Sequence, residues 1–367
     1  MTSLTIPRVV AVTGASGYIG ERLVERLLAE PGIHRVVGID VRPSPLEHEK
    51  LVSVQQDIGA PLDVLFRRNR VEAVVHLAFV LRQLRDREES RRINVGGASN
   101  VLWACEAAGV RRIVLMSSST VYGPHPDNEE LLTEDAPLRP PAGFNYAEDK
   151  VQTEWFYRNY AAHRRQAQVS VLRGCVVMGP MVDNFITQAL NKPILIGVGR
   201  DDPEMQFVHE EDLTEILWRF VSESHPGVFN VAGPGTVPWS AVVRMGKKRM
   251  LRFSARTAYA ITNLSWRLRV QNDAPGVGLD YIRWPWTVNT DRLQKELGYT
   301  FKHSSMGAVQ SYLGPSPERR ESLLADGPPN ASATPDETDI GHDAAPDALS
   351  VEPETPSNAE PGAKPAA

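Results

Sequence analysis

Strand-like and helix-like runs alternate strictly over the first half of the chain, and that alternation restricts the fold more than any other feature. RVVAVTG (8–14) is an apolar run of strand length, and Ile19, Leu23 and Leu27 with Val24 and Leu28 then recur at helical spacing. The strand signal returns at RVVGID (35–40), LVSVQQD (51–57), EAVVHLAF (72–79), RRIVLMSSS (111–119) and VSVLRGCVVMG (169–179), while 82–109 reads as one long helix. Runs that are apolar throughout need cover on both faces, and strands joined through helices pair in parallel. The expected class is α/β with a doubly wound parallel sheet.

After residue 180 the alternation loosens. Gly- and Pro-rich loops surround a short strand FVH (207–209), a helix DLTEILWRFVSE (212–223), a strand VFNVAG (228–233) and a helix within VNTDRLQKELGY (288–299) that ends at Gly298. The expected organisation is a sheet domain over 1–180 that takes in later strands from about 203–235, a smaller irregular α/β lobe over 181–314, and a tail over 315–367. The net charge of −5 belongs to that tail, which holds 11 acidic and 3 basic residues and 10 of the 28 prolines; the rest of the chain is +3. Such a composition buries too little apolar surface to offset ordering entropy, so the tail is expected to be disordered.

No run approaches the roughly 18 to 20 apolar residues of a membrane span, and the N-terminus enters a strand pattern without a leader, so a cytoplasmic protein is expected. Cys105 and Cys175 are too few for a disulfide framework and stand in no metal-ligand pattern; both read as small buried apolar residues, and no metal is expected.

The chemistry begins where the first strand ends, at TGASGYIG, with Gly14, Gly17 and Gly20. Glycines let a backbone turn sharply and approach a pyrophosphate, and the helix that follows offers free N–H groups and a positive dipole end, flanked here by Tyr18 and Ile19. The strand–turn–helix context makes the triplet informative. Asp40 closes the second strand, at the spacing where a carboxylate takes the adenosine ribose hydroxyls and repels a 2′-phosphate. Arg42, two residues on, is the opposing signal. Asp57 and Ile58 follow the third strand and His76, Leu77 and Ala78 close the fourth, all at carboxyl ends where such sheets bind ligands. His76, among apolar neighbours, reads as a wall or core residue.

The fifth strand runs into Ser117, Ser118, Ser119 and Thr120, and FNYAEDK (144–150) follows. Tyr146 and Lys150 share a helix face whatever they do. A phenol of pKa about 10 is a poor base, but a nearby ammonium favours phenolate. A serine hydroxyl holding a substrate oxygen while Tyr146 moves the proton is an arrangement typically worth on the order of 10²- to 10⁴-fold.

TGxxGxxG, Asp40, Asn94-Val95-x-Gly97, SSSTVYG (117–123), Tyr-x-x-x-Lys and LRGCVVMGP (172–180) together resemble the extended short-chain dehydrogenase/reductases, a Rossmann-fold family, across about residues 8–313. The branch they resemble is the NAD-dependent epimerase/dehydratases of nucleotide sugars, UDP-glucose 4-epimerases in particular. The resemblance implies NAD as cofactor, Ser118 as hydroxyl donor, Tyr146 as acid/base and Lys150 on the nicotinamide ribose, with Asn94 in a hydration relay. It also implies a homodimer built on 82–109 and 146–163, where Trp103, Trp155 and Tyr157 serve the contact or the core.

Within that family, dehydratases carry acids after the catalytic hydroxyl; here Ser119 and Thr120 stand there, which disfavours dehydration. An epimerase that removes and returns hydride is the leading expectation. The 4-epimerases' arginine four residues before His209 is Met205, and the asparagine three after Arg173 is Val176. Asn184, Arg200, Arg283 and Ser119 are then the candidates for substrate contact, the arginines for phosphate. The alternatives are a dehydrogenase or reductase of another secondary alcohol, such as a sterol or small polyketide, and a non-catalytic dinucleotide sensor. KKRMLRFSARTAYAITNLSWRLR (247–269) reads either as solvated faces of packed helices or as a clamp for a diphosphate or an anionic membrane; no nucleic-acid motif accompanies it.

Overall fold

The protein is described by a computed structural model covering residues 6–81, 84–271 and 273–314; the acidic tail lies outside the described residues. The apolar runs become β1 (Val9–Thr13), β2 (Arg35–Asp40), β3 (Leu51–Gln55), β4 (Ala73–His76), β5 (Arg112–Ser118) and β6 (Gln168–Gly174). Between them lie α1 (Tyr18–Leu28), α2 (Asp63–Asn69), α3 (Arg87–Arg91), α4 (Gly97–Ala108) and α5 (Asn145–His163). The later part comprises β7 (Val176–Met178), α6 (Phe185–Asn191), β8 (Ile194–Val198), β9 (Glu204–Met205), β10 (Phe207–His209), α7 (Glu210–Ser222) and β11 (Gly227–Val231). It continues with β12 (Val237–Pro238), α8 (Trp239–Met245), β13 (Arg249–Phe253), α9 (Ala255–Arg267), a 3₁₀ segment Gly276–Ile282, α10 (Asp291–Leu297) and α11 (Ser305–Leu313).

Seven strands form one parallel sheet in the order β11-β6-β5-β4-β1-β2-β3. Alternate side chains of one strand point to opposite faces, so Val10 and Val12 join Leu23, Leu27, Leu213 and Phe220 under α1 and α7. Ala11 instead joins Phe66, Val101 and Tyr157 under α2, α4 and α5. Both layers exclude water, which is why the central strands β1 and β4 are apolar at all but their last positions. Cys105 and Cys175 are free and buried. Trp103 and Trp155 are exposed, whereas Tyr157 belongs to the core.

The strand order reverses beside β1, which pairs with β2 on one side and β4 on the other. The connections leave in opposite directions there, and a crevice opens beyond the carboxyl ends. The glycine turn, Asp40 and the serine, tyrosine and lysine described below gather at that crevice.

Two segments differ from the sequence expectation. Of the stretch 82–109, residues 82 and 83 lie outside the described residues and the rest is not one regular α-helix: α3 passes through a π-helical turn at Arg92–Gly96 before α4. Gly97 allows this close packing, since a Cβ there would meet Ile58 Cδ1 at 2.5 Å. Residues 169–179 are not one strand: β6 stays with β11 as far as Gly174, and after Cys175 the chain turns off as β7 to pair with β10 in a separate two-stranded sheet. Periodicity cannot reveal such a break, because both halves are apolar. No helix among the described residues is long and apolar enough to cross a membrane.

Candidate active site

The glycine turn is built for close approach. Gly14 has φ +73°, and a Cβ on it would stand 2.7 Å from the Ala78 amide nitrogen; one on Gly20 would collide with the Gly14 carbonyl oxygen. Gly17 precedes α1 in extended backbone with no side-chain cap, so the first amides of this eleven-residue helix face the crevice. Gly14→Ala combines a disfavoured φ with that clash, and dinucleotide affinity is expected to fall about tenfold or more; calorimetric titration checks this.

Asp40 sits at the rim, its carboxylate accepting from the Ser16 and Arg42 amides, each at 3.0 Å. The Arg42 guanidinium is bound to the Ser16 carbonyl and lies 3.7 Å from Asp40. The arginine is thus engaged by the carboxylate it was set against.

A cavity of 1020 Å³ runs from this turn into the C-terminal part, and Gly14, Gly17, Tyr18, Ile19, Gly20, Asp40, Asp57, Ile58, Leu77, Ala78, Ser118, Tyr146, Lys150 and Asn184 all line it. Ser118 ends β5 and its Oγ accepts from Thr120 Oγ1 at 3.0 Å. Tyr146, in the first turn of α5, lines the same cavity as Ser118; burial pushes its phenol up to about 12, against the opposing pull of Ser118. Phe79 stands edge-on to Tyr146 at 5.5 Å, and Phe144 packs 4.8 Å from Tyr281, whose hydroxyl donates to the Thr120 carbonyl. The phenol is therefore walled by rings.

Lys150 lies one turn further along α5. Its ammonium donates to the Met116 carbonyl at 2.7 Å and sits 3.6 Å from the Phe79 ring centre, turned to these rather than to the phenol. Burial pushes it down to about 7, against the opposing pull of Glu154 and Asp149. The unfolded chain holds this proton up to the ordinary lysine range and the folded chain releases it from about 7. Stability therefore rises with pH above 7, by at most about 1.4 kcal/mol per pH unit from this group. Lys150→Met is expected to flatten that rise, read as denaturant midpoints at increasing pH. His76 is a core residue as expected: it is buried, bound to Thr13 Oγ1 at 2.7 Å, stacked on Tyr157, and pushed down to about 3 by burial and by Lys150.

Other candidates stand elsewhere. Asn94 is fully buried and does not line the cavity; it accepts from the Val80 amide at 2.8 Å and donates to Asp149 and Ser90, fastening the loop after β4. Ser119 is turned inward by the 3₁₀ segment Ser119–Tyr122, and Thr120 lines the cavity in its stead. Asn184 uses its side-chain oxygen to cap α6 and its amide on the Val177 carbonyl. Arg200 is exposed and outside the cavity, and Arg283 is outside it too, held by Asp201 at 2.8 Å. Trp239, Tyr281, Ile282 and Trp286 also line it and carried no signal in the sequence, because a short helix start, a 3₁₀ segment and a loop, all distant from the glycine turn in the chain, deliver them. Away from the cavity, His209, Glu211 and His303 come together, with the two rings stacked at 3.7 Å.

Behind the serines lies a buried ion pair. Arg173 donates to Glu154 at 2.8–3.1 Å, and Ser117 Oγ also donates to Glu154; Arg173 further donates to the Tyr122 hydroxyl at 2.8 Å. This network ties α5 to β5 and β6 next to Lys150.

A parallel sheet that opens at its switch point onto a glycine turn, with serine, tyrosine and lysine facing one cavity, defines a dinucleotide-dependent enzyme class. The comparisons agree: the model of the NAD dependent epimerase/dehydratase family matches residues 10–232, and the chain belongs to that family. Its cofactor is NAD. The chain is 29% identical over 315 residues to an uncharacterized protein of Mycobacterium tuberculosis, covering 84% of each. It is 28% identical over 245 residues to UDP-glucuronic acid decarboxylase 2 of Arabidopsis thaliana, covering 62% of this chain and 53% of that one. Among solved structures it is similar to MoeE5 in complex with UDP-glucuronic acid and NAD, with 26% identity and a TM-score of 0.67 over 86% of this chain and 99% of that one.

Proposed function

We propose that the protein moves hydride to or from a secondary carbinol carbon, with Ser118, Tyr146 and Lys150 as its working side chains. NAD, when bound, supplies the hydride acceptor and donor. The α1 amides and the glycine turn receive its pyrophosphate, Asp40 its adenosine ribose, and Lys150 its other ribose. Ser118 and Tyr146 hold a substrate hydroxyl between them, and Tyr146 takes or returns its proton. The observation that carries the reading is that Ser118, Tyr146 and Lys150 line the same cavity as the glycine turn. The exposed Trp103 and Trp155 support pairing of two chains through α4 and α5.

For the substrate, two readings follow. The similar protein MoeE5, crystallised with UDP-glucose and with UDP-glucuronic acid, supports a nucleotide sugar, with hydride removed and returned as in a 4-epimerase. The lining supports a second reading, an apolar secondary alcohol or its ketone. A diphosphate needs cations, yet the Lys and Arg side chains lining the cavity are Arg42 at the Asp40 rim, Lys150 inside, and Lys192, which is paired with Asp273. Met205 is packed in the apolar core, and Val176 lines the cavity. The test is to denature the purified protein and determine the dinucleotide released. Near-stoichiometric NAD supports the hydride-return reading; an empty site supports a dehydrogenase that exchanges cofactor at every turnover.

A further inference from the structure

We propose that the mouth of the cavity docks on an anionic lipid bilayer and that the substrate, a lipid-soluble secondary alcohol or ketone, enters from that bilayer; this rests on the second substrate reading above. The first observation is that the apolar lining does not stop at the surface. Phe185 and Ile194 line the cavity yet are 47% and 48% exposed. Leu81, which also lines it, is more exposed still. Of the exposed charged residues of the lining, Lys192 and Asp273 are paired with each other and Asp183 accepts from Gln188, so the apolar side chains are what a bilayer would cover, and a substrate arriving from it need not cross water.

The second observation is α9. Thr262 and Ser265 on this helix face the cavity. Ile261, Leu264 and Leu268, at spacings of three and four, form a separate stripe in solvent, Leu264 and Leu268 being 56% and 63% exposed. Val270 and, on β13, Leu251 are exposed as well. So many exposed large apolar side chains on one short segment next to cavity-lining positions are unusual for a surface that faces only water.

The third observation is charge. Residues 241–272 hold eight lysines and arginines and no acidic residue. Among the described residues none of the eight is ion-paired, and Arg244, Lys247, Arg249, Arg252, Arg256, Arg267 and Arg269 are exposed. The neighbouring acids are engaged: Asp273 with Lys192, Asp201 with Arg283, Asp202 with Ser240, and Asp280 with the Tyr259 hydroxyl. Apolar side chains that enter the acyl boundary, with cations beside them for lipid phosphates, are the two requirements of an interfacial helix. A polyanion such as a nucleic acid would use the cations and leave the leucine stripe without a role.

The test is co-sedimentation of the full chain with vesicles of phosphatidylcholine alone and with about 30 mol% phosphatidylglycerol, alongside NAD titration of each variant. The bound fraction is expected to rise on adding phosphatidylglycerol. It is expected to fall about tenfold or more in Leu264→Glu/Leu268→Glu and in Arg256→Glu/Arg267→Glu, with NAD affinity unchanged. No binding to either vesicle overturns the proposal. So does binding that survives the leucine substitutions, which marks plain electrostatic adsorption. Reduction of bound NAD by a UDP-sugar overturns the substrate half. Failure to bind NAD overturns the proposed function instead, and the sedimentation result stands apart from it.

Discussion

Tyr146→Phe is expected to lower turnover about 10²- to 10⁴-fold while NAD affinity stays where it was. The substitution removes one oxygen and leaves the ring, so the contacts with Phe79 and Phe144 persist. What is lost is the hydroxyl that, under the proposed function, carries the substrate proton beside Ser118. Because burial holds the phenol near 12, it starts protonated at neutral pH. The direction that donates its proton, reduction of a ketone, is therefore favoured by the side chain itself, and the rate of alcohol oxidation rises with pH in the wild type. Steady-state rates in both directions, at saturating cofactor, check the size of the loss and this asymmetry.

The second large effect is on stability. Glu154 is fully buried and Arg173 nearly so, with several hydrogen bonds between them. Glu154→Ala strands a guanidinium in the core and is expected to cost about 3–5 kcal/mol. The double substitution Glu154→Met/Arg173→Met is expected to recover most of that, because paired desolvation cancels much of what such a bridge contributes. Urea midpoints of the two variants check both statements. The network also explains why a bland pair of residues matters to the site. Ser117 donates to Glu154 one position before Ser118, and Glu154 lies one helical turn after Lys150. A rate loss in the double variant, measured where both proteins are folded, would report displaced serines.

That the glycine turn, Asp40, Tyr146 and Lys150 meet at one cavity was legible because their placement is local. Gly14, Gly17 and Gly20 sit within one turn, and Asp40 is fixed at a strand end by register, so spacing along the chain translates into spacing in the crevice. Tyr146 and Lys150 follow from one helix. The far lining of the cavity was not legible, because its side chains arrive from short elements and loops distant in the chain. Arg200 and Arg283 looked available in sequence, yet Asp201 takes Arg283 and neither lines the cavity. Ser119 and Thr120 exchange places through a single 3₁₀ turn. Asn94 falls in a π-helical turn that no apolar period announces, and there it holds a loop. The break after Gly174, between two strands of equal apolarity, was hidden for the same reason.

The most direct test of hydride chemistry in this cavity is the redox state of bound NAD, followed by absorbance as the loaded protein meets nucleotide sugars on one side and vesicle-dispersed apolar secondary alcohols on the other. The account predicts reduction of bound NAD by the alcohols, absent in Tyr146→Phe at equal NAD occupancy. NAD that saturates the site yet stays oxidised with every class, or a Tyr146→Phe variant that reduces it as fast as the wild type, would contradict it.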